Sequence, residues 1–237
     1  MKNMLIIIII LTSVFLILCP IYALEMKPLA LVNADEFISN IQVSAPCDDD
    51  HFNIIWWIPF EYWQCLYEND DSTSIADKEM ILNSFKPYSI IGVCQADVSV
   101  FGAFNFYEID EVGEMLEVIY KAESGIRYRI RLAKDIDPNV NMLLDIFTPI
   151  FRAAMGNMGE NFHFFVLTDY DSKDTRMINP YYYGTLYIHL GTRKSKLIEA
   201  QLALPVNALY VPRICPNGKE AHVTWKYCPW SGQRLPD

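Results

Sequence analysis

Residues 114–132 read EMLEVIYKAESGIRYRIRL, and this stretch carries the clearest secondary-structure signal in the chain. Apolar and polar residues alternate on both sides of Ala-Glu-Ser-Gly at residues 122–125, a pattern typical of two β-strands joined by a tight turn. The pattern predicts a β-hairpin with strands over residues 114–121 and 126–132. In the second strand, side chains at alternate positions face opposite sides. One side is cationic, with Arg127, Arg129 and Arg131, and the other is apolar, with Ile126, Tyr128, Ile130 and Leu132.

The three arginines of this strand allow two interpretations. Guanidinium groups spaced along one face are able to grip a carboxylate or phosphate in bidentate fashion, which would make Arg127, Arg129 and Arg131 a ligand site. The opposing strand supplies Glu117. Cross-strand ion pairs on a solvated face are therefore the plainer interpretation, and both stay open at this point.

Four further segments have strand character. Three of them alternate between apolar and polar residues, namely residues 162–168, 182–190 and 196–204. The fourth, residues 89–107, is too long for one ordinary strand. We therefore expect a bend or a bulge in it near Gly92 or Gly102.

Helices are predicted between these strands. Apolar spacing indicates helices over residues 60–68 and 75–85, and Asp137-Pro138 supplies the N-cap and first residue of the longest one. We therefore predict an α+β fold for residues 24–210, with a mostly antiparallel sheet of about six strands and helices packed on one side. Residues 211–237 form a small ribbon-like C-terminal appendage in this prediction.

Residues 1–23 have the layout of a secretory signal peptide. Lys2 precedes an apolar run over residues 4–18, and Ala23 offers a small residue at the cleavage point. We therefore predict an exported protein, either periplasmic or secreted. Two alternatives place the chain at a membrane, namely an uncleaved N-terminal anchor and a lipid attached to Cys19.

Composition narrows the class of partner. Cleavage removes one lysine and no acidic residue, so the formal net charge of −10 becomes −11. Such a chain is repelled by nucleic acid and by anionic membrane surfaces, and we expect neither as a partner. We expect instead an unknown protein or small-molecule partner, with membrane association only through a retained leader or a lipidated Cys19.

Six aromatic rings lie within residues 52–63. If they were stacked on a surface, Trp56, Trp57 and Trp63 would form a platform for a sugar or an apolar ligand, since flat rings match apolar faces and the indole N–H groups add polar contacts. The alternative is a core strand followed by a helix that starts near Pro59.

Acidic residues and histidines are the candidates for a catalytic site. The motif CDDDH at residues 47–51 combines carboxylates with an imidazole, although a solvated acidic loop is the simpler interpretation. A hydrolase site would have to assemble in the fold, and its candidates are Asp48, Asp50, His51, Asp169 and His163. No nucleophile elbow, phosphate-binding glycine loop or zinc-binding helix motif occurs, so we expect no cofactor and no metal.

Five cysteines remain after cleavage, namely Cys47, Cys65, Cys94, Cys215 and Cys228. In an oxidising compartment they are disulfide candidates before they are metal ligands. Because five is odd, at least one thiol stays free or pairs with another chain.

The C-terminal segment resembles a degenerate zinc ribbon with rubredoxin-like knuckles. The motifs CPNG at residues 215–218 and YCPWSG at residues 227–232 are similar to the two knuckles, each of which normally supplies two cysteines to the zinc ion. Each motif here keeps its first cysteine, while Gly218 and Ser231 stand at the second positions. The resemblance covers only the tail.

This departure leaves Cys215, Cys228 and His222 as the candidate ligands, one short of a structural zinc site. We therefore expect a disulfide between Cys215 and Cys228 in place of the metal. A crosslink over a loop of this length would stabilise the tail by roughly 3 kcal/mol.

Two functions follow from these observations. The first is an exported non-enzymatic module that binds a partner or ligand through Trp56, Trp57 and Trp63 or through the arginines of the hairpin. The second is an exported hydrolase whose aspartates and histidines meet in the fold.

Overall fold

The computed structural model describes residues 24–68, 70–171, 173 and 175–235. The predicted signal peptide lies outside the described residues. The α-helices are α1 (Ala34–Asn40), α2 (Phe60–Glu68), α3 (Ile75–Phe85), α4 (Ile109–Met115), α5 (Pro138–Met155) and α6 (Asn157–Glu160). The strands are β1 (Gln42–Val43), β2 (His51–Ile58), β3 (Tyr88–Val98), β4 (Phe104–Phe106), β5 (Leu116–Ala122), β6 (Arg127–Ile130), β7 (His163–Thr168), β8 (Gly184–Gly191), β9 (Leu197–Leu204), β10 (Arg213–Ile214) and β11 (Glu220–Ala221).

Every pairing between these strands is antiparallel, which confirms the predicted α+β class. The strands form sheets of five, four and two members, where the sequence predicted one sheet of about six. Alternation marks a strand and its buried face, but partner choice depends on contacts between distant segments. The described residues divide into a larger unit, residues 27–210, and a smaller unit that contains residues 24–26 and 211–235.

The five-stranded sheet is built around β3. Strand β2 pairs with one edge of β3, while β7 and β4 pair with successive halves of the other edge. Gly92 allows this packing because a Cβ atom at that position would lie 2.3 Å from the Phe162 ring. Where the sequence predicted a bend or a bulge near Gly92 or Gly102, the chain reverses direction, and Gly102 with a φ of +78° lies in the turn between β3 and the antiparallel β4. Glycine adopts such an angle without steric cost.

The four-stranded sheet has the order β6-β5-β8-β9. Strands β5 and β6 are the hairpin predicted from residues 114–132, although residues 109–115 form α4 rather than the start of β5. In β9, exposed and buried residues alternate strictly from Leu197 to Leu204. One face of this sheet therefore packs in the core and the other faces solvent.

The two sheets meet along one edge. Just past the end of β6, the Arg131 carbonyl oxygen accepts a hydrogen bond from the Thr168 N–H at 2.9 Å. The Val166 carbonyl oxygen accepts a second one, from the Ala133 N–H at 2.8 Å, and Leu132 forms a bridge with Leu167 between them. Since Val166 and Thr168 belong to β7, residues 131–133 connect the four-stranded sheet to the five-stranded one.

Three helices share an aromatic cluster. The Trp63 ring of α2 stacks on Phe85 of α3 with 4.3 Å between ring centroids, and it lies 5.2 Å from Phe147 of α5. The predicted N-cap of α5 is present, because an Asp137 carboxylate oxygen accepts the Asn139 N–H at 2.9 Å. None of the helices in the described ranges is both long and apolar enough to span a bilayer.

The smaller unit contains the hairpin of β10 and β11. Its buried residues include a cluster of Cys215, Ala221, Cys228 and Leu235.

Candidate ligand-binding cleft

A cleft of about 1090 Å³ opens where β6 ends and residues 131–133 run beside β7. This volume is slightly above the usual range of sites that hold organic ligands, which is about 300–1,000 Å³. Its apolar and aromatic lining includes Tyr88, Leu116, Leu132, Tyr170 and Met177. Its charged lining consists of Glu117, Arg129, Arg131, Lys134, Asp135 and Asp171.

Two of the three hairpin arginines line this cleft. Arg129 forms an ion pair in which its Nε lies 3.0 Å from Glu117 Oε1, and 74% of the Arg129 side chain is exposed. Arg131 also lies on the exposed face, and its guanidinium forms no ion pair or hydrogen bond with any described residue. Arg127 lies outside the cleft, with its guanidinium carbon 5.5 Å from the centroid of the Tyr187 ring. Cross-strand pairing therefore accounts for Arg129, whereas Arg131 is available to a ligand.

Glu117 does not neutralise Arg131, because both of its oxygens are engaged elsewhere. Glu117 Oε1 binds Arg129, and Oε2 lies 3.2 Å from His189 Nδ1. His189 Nε2 lies 2.8 Å from Glu199. Burial lowers the pKa of His189, but the hydrogen bonds to Glu199 and Glu117 outweigh burial and raise it above its usual value. The outer face of the sheet thus carries a connected row of charges that ends at the cleft.

A buried ionic network holds the loop that contributes Tyr170, Asp171 and Met177 to the cleft lining. Arg176 Nε donates to Asp169 Oδ2 at 3.0 Å, and Arg176 also donates to both oxygens of Glu61, with one N···O distance of 2.9 Å. Asp169 and Glu61 have side-chain exposures of 0% and 7%. Burial raises the pKa of Asp169 to about 7, although Arg176 opposes that shift. The network positions Tyr170, which forms a bridge with Arg176 at the cleft.

The other polar groups of the cleft differ in how far they are engaged. Asp171 Oδ1 accepts the backbone N–H groups of Lys173 and Thr175, and these hydrogen bonds lower the pKa of Asp171. Lys134 and Asp135, by contrast, form no side-chain ion pair or hydrogen bond within the part of the chain that the structure describes. The lining therefore offers unengaged cations together with one unengaged acid.

Of the two interpretations of residues 52–63, the surface platform does not form. Trp56, Trp57 and Trp63 are 9%, 0% and 3% exposed and lie in the core of the larger unit. Trp56 and Trp57 belong to β2, which is covered on both faces, and Trp63 packs between helices. The core interpretation of this stretch is correct because large aromatic rings contribute most of their apolar area when they are buried.

The structure does not bring the five hydrolase candidates together. Asp48, Asp50 and His51 line a small cavity of about 60 Å³, where Asp48 pairs with Lys196 and Asp50 pairs with Lys194. The other two candidates lie apart from this cavity. Asp169 belongs to the Arg176 network, and His163 Nε2 lies 2.9 Å from the Tyr107 carbonyl oxygen.

His51 has a carboxylate partner that the sequence did not indicate. Its Nδ1 lies 3.4 Å from Asp97 Oδ1, and its Nε2 lies 3.2 Å from the Gln95 amide nitrogen. The nearby Cys47 thiol donates a hydrogen bond to the His51 carbonyl oxygen, and burial, followed by the charge of Asp48, raises the pKa of this thiol. A raised pKa disfavours the nucleophilic thiolate. Across the described ranges, no group of three or more histidine, cysteine or acidic side chains is arranged to hold a metal ion.

The two tail cysteines are neighbours. Cys215 and Cys228 are buried in the small core and share a hydrogen bond, but the sulfurs are not at bonding distance, so the disulfide stays a prediction. Burial raises the pKa of Cys215 to about 11. Burial also acts on Cys228, but hydrogen bonds from Cys215 and Ser231 outweigh it and lower the pKa of Cys228 to about 7. His222 Nδ1 lies 2.8 Å from the Thr224 hydroxyl.

Comparison of this chain with protein-family models, with curated proteins and with solved structures found no match. The candidate function therefore depends on the geometry of the cleft. Sequence patterns located Arg129 and Arg131 but missed Tyr88, Lys134 and Met177, which reach the cleft from other segments. No local signal identifies such residues, because the pairing of residues 131–133 with β7 decides which segments meet.

Proposed function

We propose that this protein is an exported, non-enzymatic binding module that holds an organic anion in the cleft at the end of β6. The observation that carries the proposal is the Arg131 guanidinium, which lines a cleft of about 1090 Å³ and has no partner among the described residues. Lys134 adds a second unengaged cation in the same lining.

The chemistry of the lining favours a carboxylate ligand with additional polar groups. A guanidinium binds a carboxylate or phosphate through two parallel hydrogen bonds, which fixes orientation as well as charge. Asp135 is able to accept hydrogen bonds from N–H donors of the same ligand. Tyr88, Leu132 and Met177 provide apolar area for the rest of the molecule. An inorganic ion would use only a small part of this surface.

The binding proposal is tested by isothermal titration calorimetry with citrate and N-acetyl-diglutamate as probes. We expect Arg131→Ala to weaken binding about tenfold, because a charge-assisted hydrogen bond is lost. Lys121→Ala is the matched control. Lys121 lies on the same face of the sheet, in β5 and opposite Arg127, but it does not line the cleft. We expect it to change affinity less than about threefold at 0.15 M salt, where screening is strong. Equal affinity of the Arg131 variant and the wild type would exclude the proposed site.

Export is part of the proposal and has its own test. Mass spectrometry of the protein produced with its own leader should show loss of residues 1–23. A full-length mass would support the anchored alternative, and an added lipid mass on a chain that begins at Cys19 would support the lipoprotein alternative.

The hydrolase alternative has one observation in its favour, the contact between His51 and Asp97. Against it, both ring nitrogens of His51 are engaged and the cavity measures only about 60 Å³. A general base needs a free ring nitrogen beside its substrate. The test is a screen with chromogenic ester and peptide substrates. Turnover that disappears in His51→Ala would replace the binding proposal by a hydrolase.

A further inference from the structure

Among the described residues, the outer edge of strand β6 pairs with no other strand, and the end of β6 at Arg129 and Ile130 lines the cleft. The Ala122 N–H donates to the Ile126 carbonyl oxygen, so the backbone of even-numbered residues faces β5. Backbone groups alternate in direction along an antiparallel strand, so those of odd-numbered residues face outward. At Arg131 the outward carbonyl oxygen binds β7. At Arg127 and Arg129 the outward N–H and carbonyl groups form no backbone hydrogen bond with the described residues.

The edge is open because β7 ends at Thr168. The next residue, Asp169, turns into the interior, where its side chain is fully buried and its N–H lies 3.4 Å from the Pro87 carbonyl oxygen. The line of β7 would otherwise continue beside residues 127–130. Four extended residues along that line would span about 13 Å at about 3.3 Å per residue, which is the length of a short strand.

We propose that an extended acidic peptide adds to the outer edge of β6 as an antiparallel strand that continues the line of β7. This proposal deepens the proposed function, since it names the ligand class of the same cleft. Main-chain hydrogen bonds to an exposed sheet edge are a known basis of peptide recognition, and alternate side chains then decide specificity.

The register defines the sequence that such a peptide needs. Leu132 faces Leu167, so the added strand would place alternate residues opposite Arg129 and Arg127. These residues share the arginine face, where acidic side chains would pair with the guanidinium groups and reach Arg131 diagonally. The intervening residues face the side of Tyr128 and the buried Ile130, so apolar side chains suit them. The predicted motif alternates acidic and apolar residues.

A second copy of this chain does not fit the edge. Pairing of β6 with β6 would place two rows of arginines on the same face of one sheet, and like charges on neighbouring strands destabilise the pair. Charged side chains on an edge strand are also a general protection against unwanted pairing. If the arginines served only to prevent such pairing, no peptide would bind to this edge.

Binding is measured by the fluorescence anisotropy of a labelled eight-residue peptide in which glutamate and valine alternate. The protein is the mature chain, which begins at residue 24. We expect the analogue with glutamine in place of glutamate to bind at least about tenfold more weakly. In the antiparallel register the glutamate N–H groups face β6 and the valine N–H groups face away. N-methylation of the glutamates should therefore weaken binding at least about tenfold, while N-methylation of the valines leaves it within about twofold.

Protein variants test the same contact. We expect Arg127→Glu and Arg131→Glu each to weaken peptide binding about tenfold or more, because a like charge replaces an attractive one. Lys226→Glu is the control of equal charge change, because Lys226 is an exposed residue of the smaller unit and does not line the cleft. We expect it to change peptide affinity less than about threefold at 0.15 M salt. Amide hydrogen exchange at Arg127 and Arg129 should slow when the peptide is bound, because these N–H groups become hydrogen-bonded.

The outcomes separate this inference from the proposed function. If citrate binds through Arg131 and the peptide does not bind, strand addition is wrong and the anion site stands. If the peptide binds but methylated glutamates bind equally well, the peptide occupies the cleft without pairing to β6, and the inference is wrong. If neither citrate nor the peptide binds, both proposals fail.

Discussion

The larger unit contains two groups of arginines and carboxylates, one lining the cleft and one behind the loop at residues 169–178, and they differ mainly in burial. In the network of Arg176, Asp169 and Glu61, the two carboxylates are almost fully buried, and Arg176 is 18% exposed. In the row of Arg129 and Glu117, the same types of side chain are 74% and 33% exposed. Both groups pair a guanidinium with carboxylates. Removing the charges from water costs much more free energy in the buried network than in the exposed row.

This difference assigns the two groups different roles. A buried charge that loses its partner is strongly destabilising, so the Arg176 network holds the loop at residues 169–178 in one arrangement. An exposed pair contributes little to stability and exchanges partners easily. Arg131, which is exposed and unpaired within the described residues, is therefore the arginine best suited to a ligand.

The largest effect is expected for Arg176→Met. At pH 8, above the Asp169 pKa of about 7, the substitution leaves two buried carboxylates without their cation, and we expect the free energy of unfolding to fall by about 3–5 kcal/mol. Urea denaturation measures the change. A loss below about 1 kcal/mol would show that the network is solvated and would remove the contrast with the exposed row.

Asp169 should also give stability a distinctive pH dependence. Its pKa rises from 3.8 to about 7 on folding, so between these values the folded state holds a proton that the unfolded state has released. This group therefore stabilises the fold at low pH, and its contribution declines as the pH rises from about 4 to about 7. Urea denaturation across pH 3–8 should show that Asp169→Asn loses this decline, whereas an unchanged slope would refute the shift.

Asp171→Asn is the matched control for the pH experiment. Backbone hydrogen bonds lower the pKa of Asp171, so its contribution is present above the unfolded pKa of 3.8 and declines as the pH falls below it. Asp171→Asn should therefore change the pH dependence of the free energy of unfolding only below about pH 4. Between pH 4 and pH 7 the slope should be the same as in the wild type.

A smaller effect is expected for the exposed pair. A double-mutant cycle with Arg129→Ala and Glu117→Gln should give a coupling free energy of about 0.2–1 kcal/mol, because Arg129 is mostly in water. The coupling should decrease when the salt concentration is raised, since screening acts on exposed charges. A coupling above about 2 kcal/mol would mean that this pair behaves like the buried network.

The smallest stability effect is expected for Arg131→Met, the same chemical change as Arg176→Met in an exposed place. We expect the free energy of unfolding to stay within about 0.5 kcal/mol of the wild type, as for most surface substitutions. Circular dichroism during urea denaturation measures it. A loss above about 2 kcal/mol would show a structural role for Arg131 and would weaken its assignment to a ligand.

Local sequence patterns were sufficient to predict several elements of the fold. The period-two alternation of residues 114–132 predicted the hairpin, and Asp137-Pro138 predicted the start of α5, because both signals depend on neighbours in sequence. The same reasoning located Arg129 and Arg131 on one face. It did not show which of them would be paired.

The sequence by itself determined the α+β class, the hairpin and its arginine face, because side-chain period and capping act over a few residues. Only the tertiary structure decided that residues 131–133 pair with β7, that Glu61 reaches Arg176, and that Trp57 lies in the core rather than on a ligand platform. These contacts join segments far apart in the chain, and their free energy depends on burial that no local pattern specifies.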